Sequence, residues 1–131
     1  MAHYAKPLGG YGACTVLTLY TGLLVSTSPT NLLQSASYKN FAGAPAMQEQ
    51  GGALTFTKNG QVFAMGRIDT NAGGTGQILV QKNGGTAGTV YNNEWVAFSV
   101  AAGDRVTLTT NNSGTNNSTV RDFRMVFAEQ K

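Results

Sequence analysis

Short segments of alternating apolar and polar residues recur along residues 53–131 at intervals of about ten residues, with turn-forming residues between them. Period-two alternation places successive side chains on opposite faces of a strand, so each segment has one apolar face to bury. No segment in this region shows the helical period. The pattern is typical of sandwiches and barrels, and it predicts an all-β fold: an antiparallel, jelly-roll-like β-sandwich of about eight strands with an extended N-terminal arm.

The segment ALTFTKNGQVFAMGRI, residues 53–68, contains Asn59-Gly60 between two alternating runs. Both residues tolerate the positive φ of a type I′ turn, so this dipeptide favours a tight hairpin. Such a turn places Leu54, Phe56, Phe63 and Met65 on one buried face, with Thr55, Thr57, Val62 and Ala64 on the other. The predicted cross-strand pairs are Lys58–Gln61, Phe56–Phe63 and Leu54–Met65.

Four later segments carry the same alternation, and the first of them ends at a second Asn-Gly, Asn83-Gly84. Trp95 alternates with the aliphatic set of its segment, which places it near a rim or an interface. The predicted inward-facing residues are Ile78, Val80, Val96, Phe98, Val100, Val106, Leu108, Phe123, Met125 and Phe127.

The apolar segment ACTVLTLYTGLLV, residues 13–25, is interrupted by threonines and by Gly22, and it is too short for a membrane span. A signal peptide is the closer rival, but Pro7 and the glycines that precede the segment make a poor helical lead-in. Its β-branched and aromatic content favours a strand, with Gly22 as a bulge or bend.

Charged residues make up only 11% of the chain against 41% hydrophobic residues, so the predicted surface is polar but mostly uncharged. The net charge of +3 is scattered, and we expect neither nucleic acid nor a membrane as a partner. Arg121 and Arg124 flank Asp122, and a solvated or salt-bridged strand face explains them better than a phosphate site.

No spacing of residues indicates catalysis, a metal site or a cofactor. Cys14 and His3 are the only residues of their types, and a buried or merely tolerated thiol is favoured over a nucleophile. Asp104 follows Gly103 between two predicted strands, so its carboxylate is expected to cap backbone N–H groups of a tight turn. The chain is therefore not expected to be an enzyme.

The strings ILVQKNGG, VAFSVAAGDRVTL and FRMVF resemble the C-terminal half of small jelly-roll modules in C1q/TNF-like proteins and in bacteriophage virion proteins. The resemblance covers roughly residues 53–131. Among phage proteins, the chain looks most like a capsid decoration, or cement, protein. That likeness implies a structural virion protein, made in the host cytoplasm, that binds the major capsid protein on the outer capsid surface and stabilises the shell as a homo-oligomer, a dimer or trimer.

We expect one domain over residues 1–131: a flexible arm (1–12), N-terminal strands and connections (13–52) and the main sandwich strands (53–131). The arm is aromatic and glycine-rich, which suits ordering on a partner. The candidate assembly contacts are Tyr4, Leu8, Tyr11 and Trp95. The alternative is a carbohydrate- or receptor-binding module of a fibre or lectin-like protein, in which the loop 109–119 and exposed aromatic rings contact a glycan.

Overall fold

The computed structural model describes residues 11–25, 29–43, 45–70, 76–112 and 118–130, which fold into two β-sheets packed face to face. Within these ranges the chain forms eleven strands and one four-residue helix. The elements in chain order are β1 (Tyr11–Val25), β2 (Thr30–Asn31), α1 (Leu32–Ser35), β3 (Tyr38–Gly43), β4 (Met47–Gln50), β5 (Ala53–Phe56), β6 (Gly60–Thr70), β7 (Gly76–Lys82), β8 (Gly85–Val90), β9 (Trp95–Val100), β10 (Arg105–Asn112) and β11 (Ser118–Gln130).

Sheet A has the strand order β3-β1-β11-β6-β9, and sheet B has the order β4-β5-β10-β7-β8 with β2 beside β10. All of these neighbouring strands pair antiparallel. The predicted antiparallel jelly-roll-like sandwich is confirmed. The number of strands exceeds the expected eight or so because residues 30–50 form three short strands that show little alternation.

The core lies between the sheets and takes one face of most strands, whereas the edge strand β3 is exposed along its whole length. Phe56 of sheet B and Phe127 of sheet A contact each other across it, with ring centroids 5.3 Å apart. The inward-facing residues that alternation predicted in the later segments are buried, apart from the half-buried Val96. β1 is a strand as predicted, and its register with β11 shifts between Tyr20 and Leu23, the stretch in which the sequence predicts a bulge or bend at Gly22.

The predicted hairpin at Asn59-Gly60 is wrong, because β5 belongs to sheet B and β6 to sheet A. None of the predicted pairs Lys58–Gln61, Phe56–Phe63 and Leu54–Met65 forms: β5 pairs with β4 and β10, and β6 pairs with β11 and β9.

This change of sheet reverses the predicted faces of β6. Val62 and Ala64 are fully buried, whereas Phe63 and Met65 are half-buried on the outer face. Gly60 adopts no positive φ, and it is needed because a Cβ there would overlap the Ala128 carbonyl oxygen and the Phe127 ring. Dense packing between the sheets therefore explains this glycine better than turn chemistry.

The second Asn-Gly does form a two-residue hairpin, between β7 and β8. Asn83 has a φ of 52° and Gly84 a φ of 88°, the left-handed values that a type I′ turn requires. The two dipeptides therefore have the same sequence signal and different roles.

Candidate functional site

One apolar side chain from each strand of sheet A lines up in a single row across the sheet. Direct cross-strand pairing defines this apolar row as Ala42, Val16, Val126, Phe63 and Ala97. Direct partners in a sheet point to the same face, and the chain neighbours Leu17 and Phe127 point into the core. The row therefore lies on the outer face of sheet A, where its members are half-buried or exposed.

A second row beside it adds two more large apolar side chains, because Met65 pairs with Trp95. Trp95 lies on the edge strand β9 and is 56% exposed. Together with Phe63 and Val126 it lines a shallow depression of about 360 Å³. Contiguous exposed apolar surface with this arrangement is typical of an interaction site.

Charged side chains on the same face are mostly paired with each other. The Arg67 guanidinium lies 3.5 Å from the Asp122 carboxylate, and Arg121 pairs with Asp69. The expected salt-bridged strand face at Arg121 and Asp122 is therefore present. Arg124 is different: it is exposed on the central strand β11, and within the described ranges no carboxylate lies within 4 Å of it.

The outer face of sheet B has a different chemistry. Its half-buried side chains are mainly hydroxyls and amides, and Leu79 is the large apolar residue among them. The polar members on the three central strands include Thr55, Gln77, Gln81, Thr107 and Thr109. Thus the two outer faces of the sandwich differ, and the apolar one belongs to sheet A.

Tyr20 and Tyr38 form a stacked pair at the β1–β3 side of sheet A, with ring centroids 5.3 Å apart. They are 47% and 48% exposed. The cross-strand partner of Tyr20 on β11 is Asp122, which forms the ion pair with Arg67. This corner of the face thus combines aromatic rings with charged groups.

Asp104 has the structural role that its position indicates. Its carboxylate accepts hydrogen bonds from the Ala101 N–H at 2.8 Å and from Asn83 Nδ2 at 3.0 Å. The Ala101 N–H and then the Asn83 amide lower the pKa of Asp104 below its ordinary value. Asn83 Oδ1 in turn accepts from the Arg105 N–H, so the carboxylate links two turns at one end of the sandwich.

Of the predicted assembly contacts, Trp95 lies on the outer face of sheet A, exposed as a rim residue should be. Tyr11 is the first residue of β1 and pairs with Gln130, so the strand begins inside the predicted arm. Tyr4 and Leu8 lie outside the described residues, as does His3.

Sequence reasoning missed Phe63, Met65 and Val126 as surface residues. Both faces of β6 carry apolar side chains, so alternation alone does not show which face is buried. Val126 lies between two buried residues of FRMVF, so the sequence does not indicate that its side chain faces outward. The signal that could have located the face was the pairing of β6 with β11, which follows only from the tertiary fold.

Other candidate chemistry is sparse in the part of the chain that is described. Cys14 is free and exposed, which excludes burial, one of the two alternatives that the sequence favoured for this thiol. No group of three or more His, Cys, Asp or Glu side chains in these ranges is placed to hold a metal ion. None of the described helices is long and apolar enough to cross a membrane.

No protein-family model matches the chain, and no curated protein matches it. Solved structures do. The crystal structure of GITRL from pika has a TM-score of 0.54 and 15% identity over 88% of this chain and 96% of that one. Murine APRIL at pH 5.0 gives 0.54 and 13% over 87% and 98%, and GITRL from bushbaby gives 0.50 and 14% over 90% and 96%.

These neighbours are jelly rolls of the TNF family, and the similarity extends along nearly the whole of each chain. At these identities it concerns the fold alone. The jelly-roll architecture that the strand motifs resemble is therefore the architecture of this chain.

Proposed function

We propose that this protein is a non-enzymatic assembly module that works as a homo-oligomer, a dimer or trimer, joined through the outer face of sheet A. The observation that carries the proposal is the apolar row with Met65 and Trp95 beside it. Contact of such a surface with water raises the free energy of the system, and covering it with a second surface lowers that free energy. The outer face of sheet B offers no comparable surface.

The size of the hydrophobic contribution indicates how far the contact must extend. Fully burying one large apolar side chain contributes about 1.5–3 kcal/mol, and Phe63 and Val126 are already half-buried. Association of two chains costs about 4–15 kcal/mol in lost freedom. The depression at Trp95 alone does not offset this cost, so the interface should run along the row and include side chains from both copies.

Analytical ultracentrifugation of two matched variants tests this interface. Val126→Asp places a charge in the middle of the row, and Leu79→Asp places the same charge on the outer face of sheet B. We expect Val126→Asp to sediment as a monomer with a native circular dichroism spectrum, while Leu79→Asp keeps the mass of the wild-type oligomer. A wild-type chain that stays monomeric at high concentration, or equal effects of the two variants, would contradict the proposal.

For the biological role of such a module, we propose decoration of the outer surface of a phage capsid, with the major capsid protein as partner. The support is the likeness of residues 53–131 to phage jelly-roll modules and a surface that is polar but poor in charge. Tyr4, Leu8 and Tyr11 are the proposed anchors of the arm on the shell or on a neighbouring copy.

Binding to emptied or expanded shells tests this role. We expect saturable binding of the wild-type chain and a gain in the thermal or osmotic resistance of the shells. A chain lacking residues 2–10 should keep its melting transition and lose most of its occupancy, because the proposal assigns the contacts of Tyr4 and Leu8 to a partner. No binding by the wild-type chain would count against the capsid role.

A glycan- or receptor-binding module is the second candidate, and the exposed Tyr20–Tyr38 pair favours it. Aromatic rings beside charged and amide groups are the chemistry that stacks on and hydrogen-bonds a sugar. A glycan array with the wild-type chain and a Tyr38→Ala variant distinguishes the two roles. Binding that Tyr38→Ala abolishes would support this candidate, and the absence of any bound glycan would remove it.

A further inference from the structure

We infer that Arg124 of one copy forms an ion pair with Glu94 of a second copy, and that this pair fixes how the two outer faces meet. The inference rests on the proposed self-association through sheet A. It adds the polar contact that determines the register and orientation of that association, which the apolar row cannot determine.

Arg124 is the group that makes such a contact necessary. It lies on the central strand of sheet A, where it pairs with Thr18 of β1 and with Met65 of β6. The row that contains Val126 and Phe63 runs directly beside it, so any partner that covers the row also covers Arg124. Removing a guanidinium from water without an opposite charge is costly, so a compatible partner brings a carboxylate to this point.

Few carboxylates in the described part of the chain are available to pair with Arg124 of a second copy. Glu49, Asp69 and Asp122 are in ion pairs, and the oxygens of Asp104 are occupied by Ala101 and Asn83. Glu94 and Glu129 have no cation within 4 Å among the described residues.

Glu94 is the better placed of these two. It is exposed and immediately precedes Trp95, the most exposed large hydrophobic residue of the described chain. Glu94 lies immediately before the edge strand β9, whereas Glu129 is half-buried near the end of β11. A contact that brings Trp95 of one copy onto the apolar row of another also brings its chain neighbour Glu94 to that face, on which Arg124 lies beside Val126.

Both symmetric arrangements of a small homo-oligomer accommodate this pair. In a two-fold dimer the contact between Arg124 and Glu94 forms twice, and in a closed ring it forms once at every interface. Opposite charges at these two positions therefore reject copies that approach in other registers, because those registers leave Arg124 buried without a partner.

Charge reversal tests the pair. Arg124→Glu and Glu94→Arg, each alone, should raise the dissociation constant of the oligomer at least about tenfold, and the double variant should return to within about threefold of wild type. Arg105→Glu, an equal change on the outer face of sheet B, is the control and should have no effect. Far-ultraviolet circular dichroism and melting confirm folding, and Arg124→Gln and Glu94→Gln serve if a reversal variant does not fold.

The outcomes distinguish failure of the ion pair from failure of the proposed self-association through sheet A. Single reversals that match wild type, or a double variant no better than the single ones, would overturn the ion pair while Val126→Asp still dissociates the oligomer. A wild-type chain that is monomeric at all concentrations would overturn the self-association itself. Rescue by the double variant supports the pair. A weaker association of the wild-type chain at higher salt concentration supports it as well.

Discussion

The direction of single side chains decides which aromatic residues of this protein are buried in the core and which lie on the surface. Phe127 is fully buried between the sheets, against Phe56. Phe63 pairs with Val126 on the outer face of sheet A. It is half-buried in the isolated chain. Two phenylalanines on neighbouring strands thus lie in different environments.

We predict that Phe127→Ala lowers the free energy of unfolding by about 3–5 kcal/mol, the usual cost of removing a buried ring. Phe63→Ala should lower that of the monomer by less, about 1–2 kcal/mol, because Phe63 is only half-buried on the outer face of sheet A. Chemical denaturation at a concentration below the association range measures both values. Equal losses in the two variants would mean that Phe63 belongs to the core.

The pKa of Asp104 determines how the stability of the folded state changes in the acid pH range. Its folded-state pKa is lowered by hydrogen bonds from Ala101 and Asn83. Ionised Asp104 therefore stabilises the folded state fully above the ordinary aspartate pKa, and this contribution is lost as the pH falls through the lowered folded-state pKa.

We predict that Asp104→Asn costs about 1–2 kcal/mol at neutral pH and flattens the dependence of unfolding free energy on pH in the acid range. Gln81→Asn, a change at an uncharged amide on the outer face of sheet B, is the control and should leave that dependence unchanged. Denaturant titrations at a series of acid pH values measure it. A steep dependence retained in Asp104→Asn would show that another group is responsible.

At the scale of elements, the crossing from β5 to β6 is the feature that organises the sandwich. Asn59 stabilises this crossing with two hydrogen bonds. Its side-chain oxygen accepts from the Ala102 N–H at 2.8 Å, and its backbone carbonyl oxygen accepts from the Gln130 N–H at 2.9 Å. Gly60 then enters sheet A against Ala128 and Phe127. The chain changes sheets within three residues because a backbone without a side chain fits there.

Gly60→Ala should therefore destabilise the protein by about 1–3 kcal/mol, the cost of forcing extra volume into a packed core. Gly85→Ala is the matched control, since its φ is not positive and a Cβ there would meet only the Lys82 carbonyl oxygen, at 3.7 Å. Thermal melts of the two variants give the comparison. A Gly60→Ala protein as stable as Gly85→Ala would mean that the crossing has room for a side chain.

Sequence pattern predicted the strands more reliably than their partners. Alternation located β7, β9, β10 and β11 and their buried faces, because each has a single apolar face. It was wrong at β6, where Val62 and Phe63 are both apolar and only the neighbouring strands decide which side is covered. Asn59-Gly60 was misassigned because a local turn signal does not reveal packing against a strand some 70 positions later in the sequence, which only the tertiary fold shows.

The candidate site was predictable only at its edge. Trp95 was singled out because it alternates with buried residues of its own strand. Val16, Val126 and Phe63 come from three strands that are distant in sequence, and their alignment depends on the register of sheet A. A surface assembled across strands leaves no motif in the sequence.

At the scale of the whole molecule, the sandwich has one polar and one apolar outer face, and this difference is the basis of the proposed self-association. The single tryptophan of the chain lies on the apolar face, where it is 56% exposed. Its environment therefore reports directly whether that face is covered.

The most direct measurement is the fluorescence of Trp95 as a function of protein concentration, recorded together with the molecular mass by light scattering. As the mass rises from monomer to oligomer, the emission should shift to shorter wavelength and quenching by iodide should fall, because the indole leaves water. An oligomer whose Trp95 stays as accessible to iodide as in the monomer would contradict assembly through the outer face of sheet A.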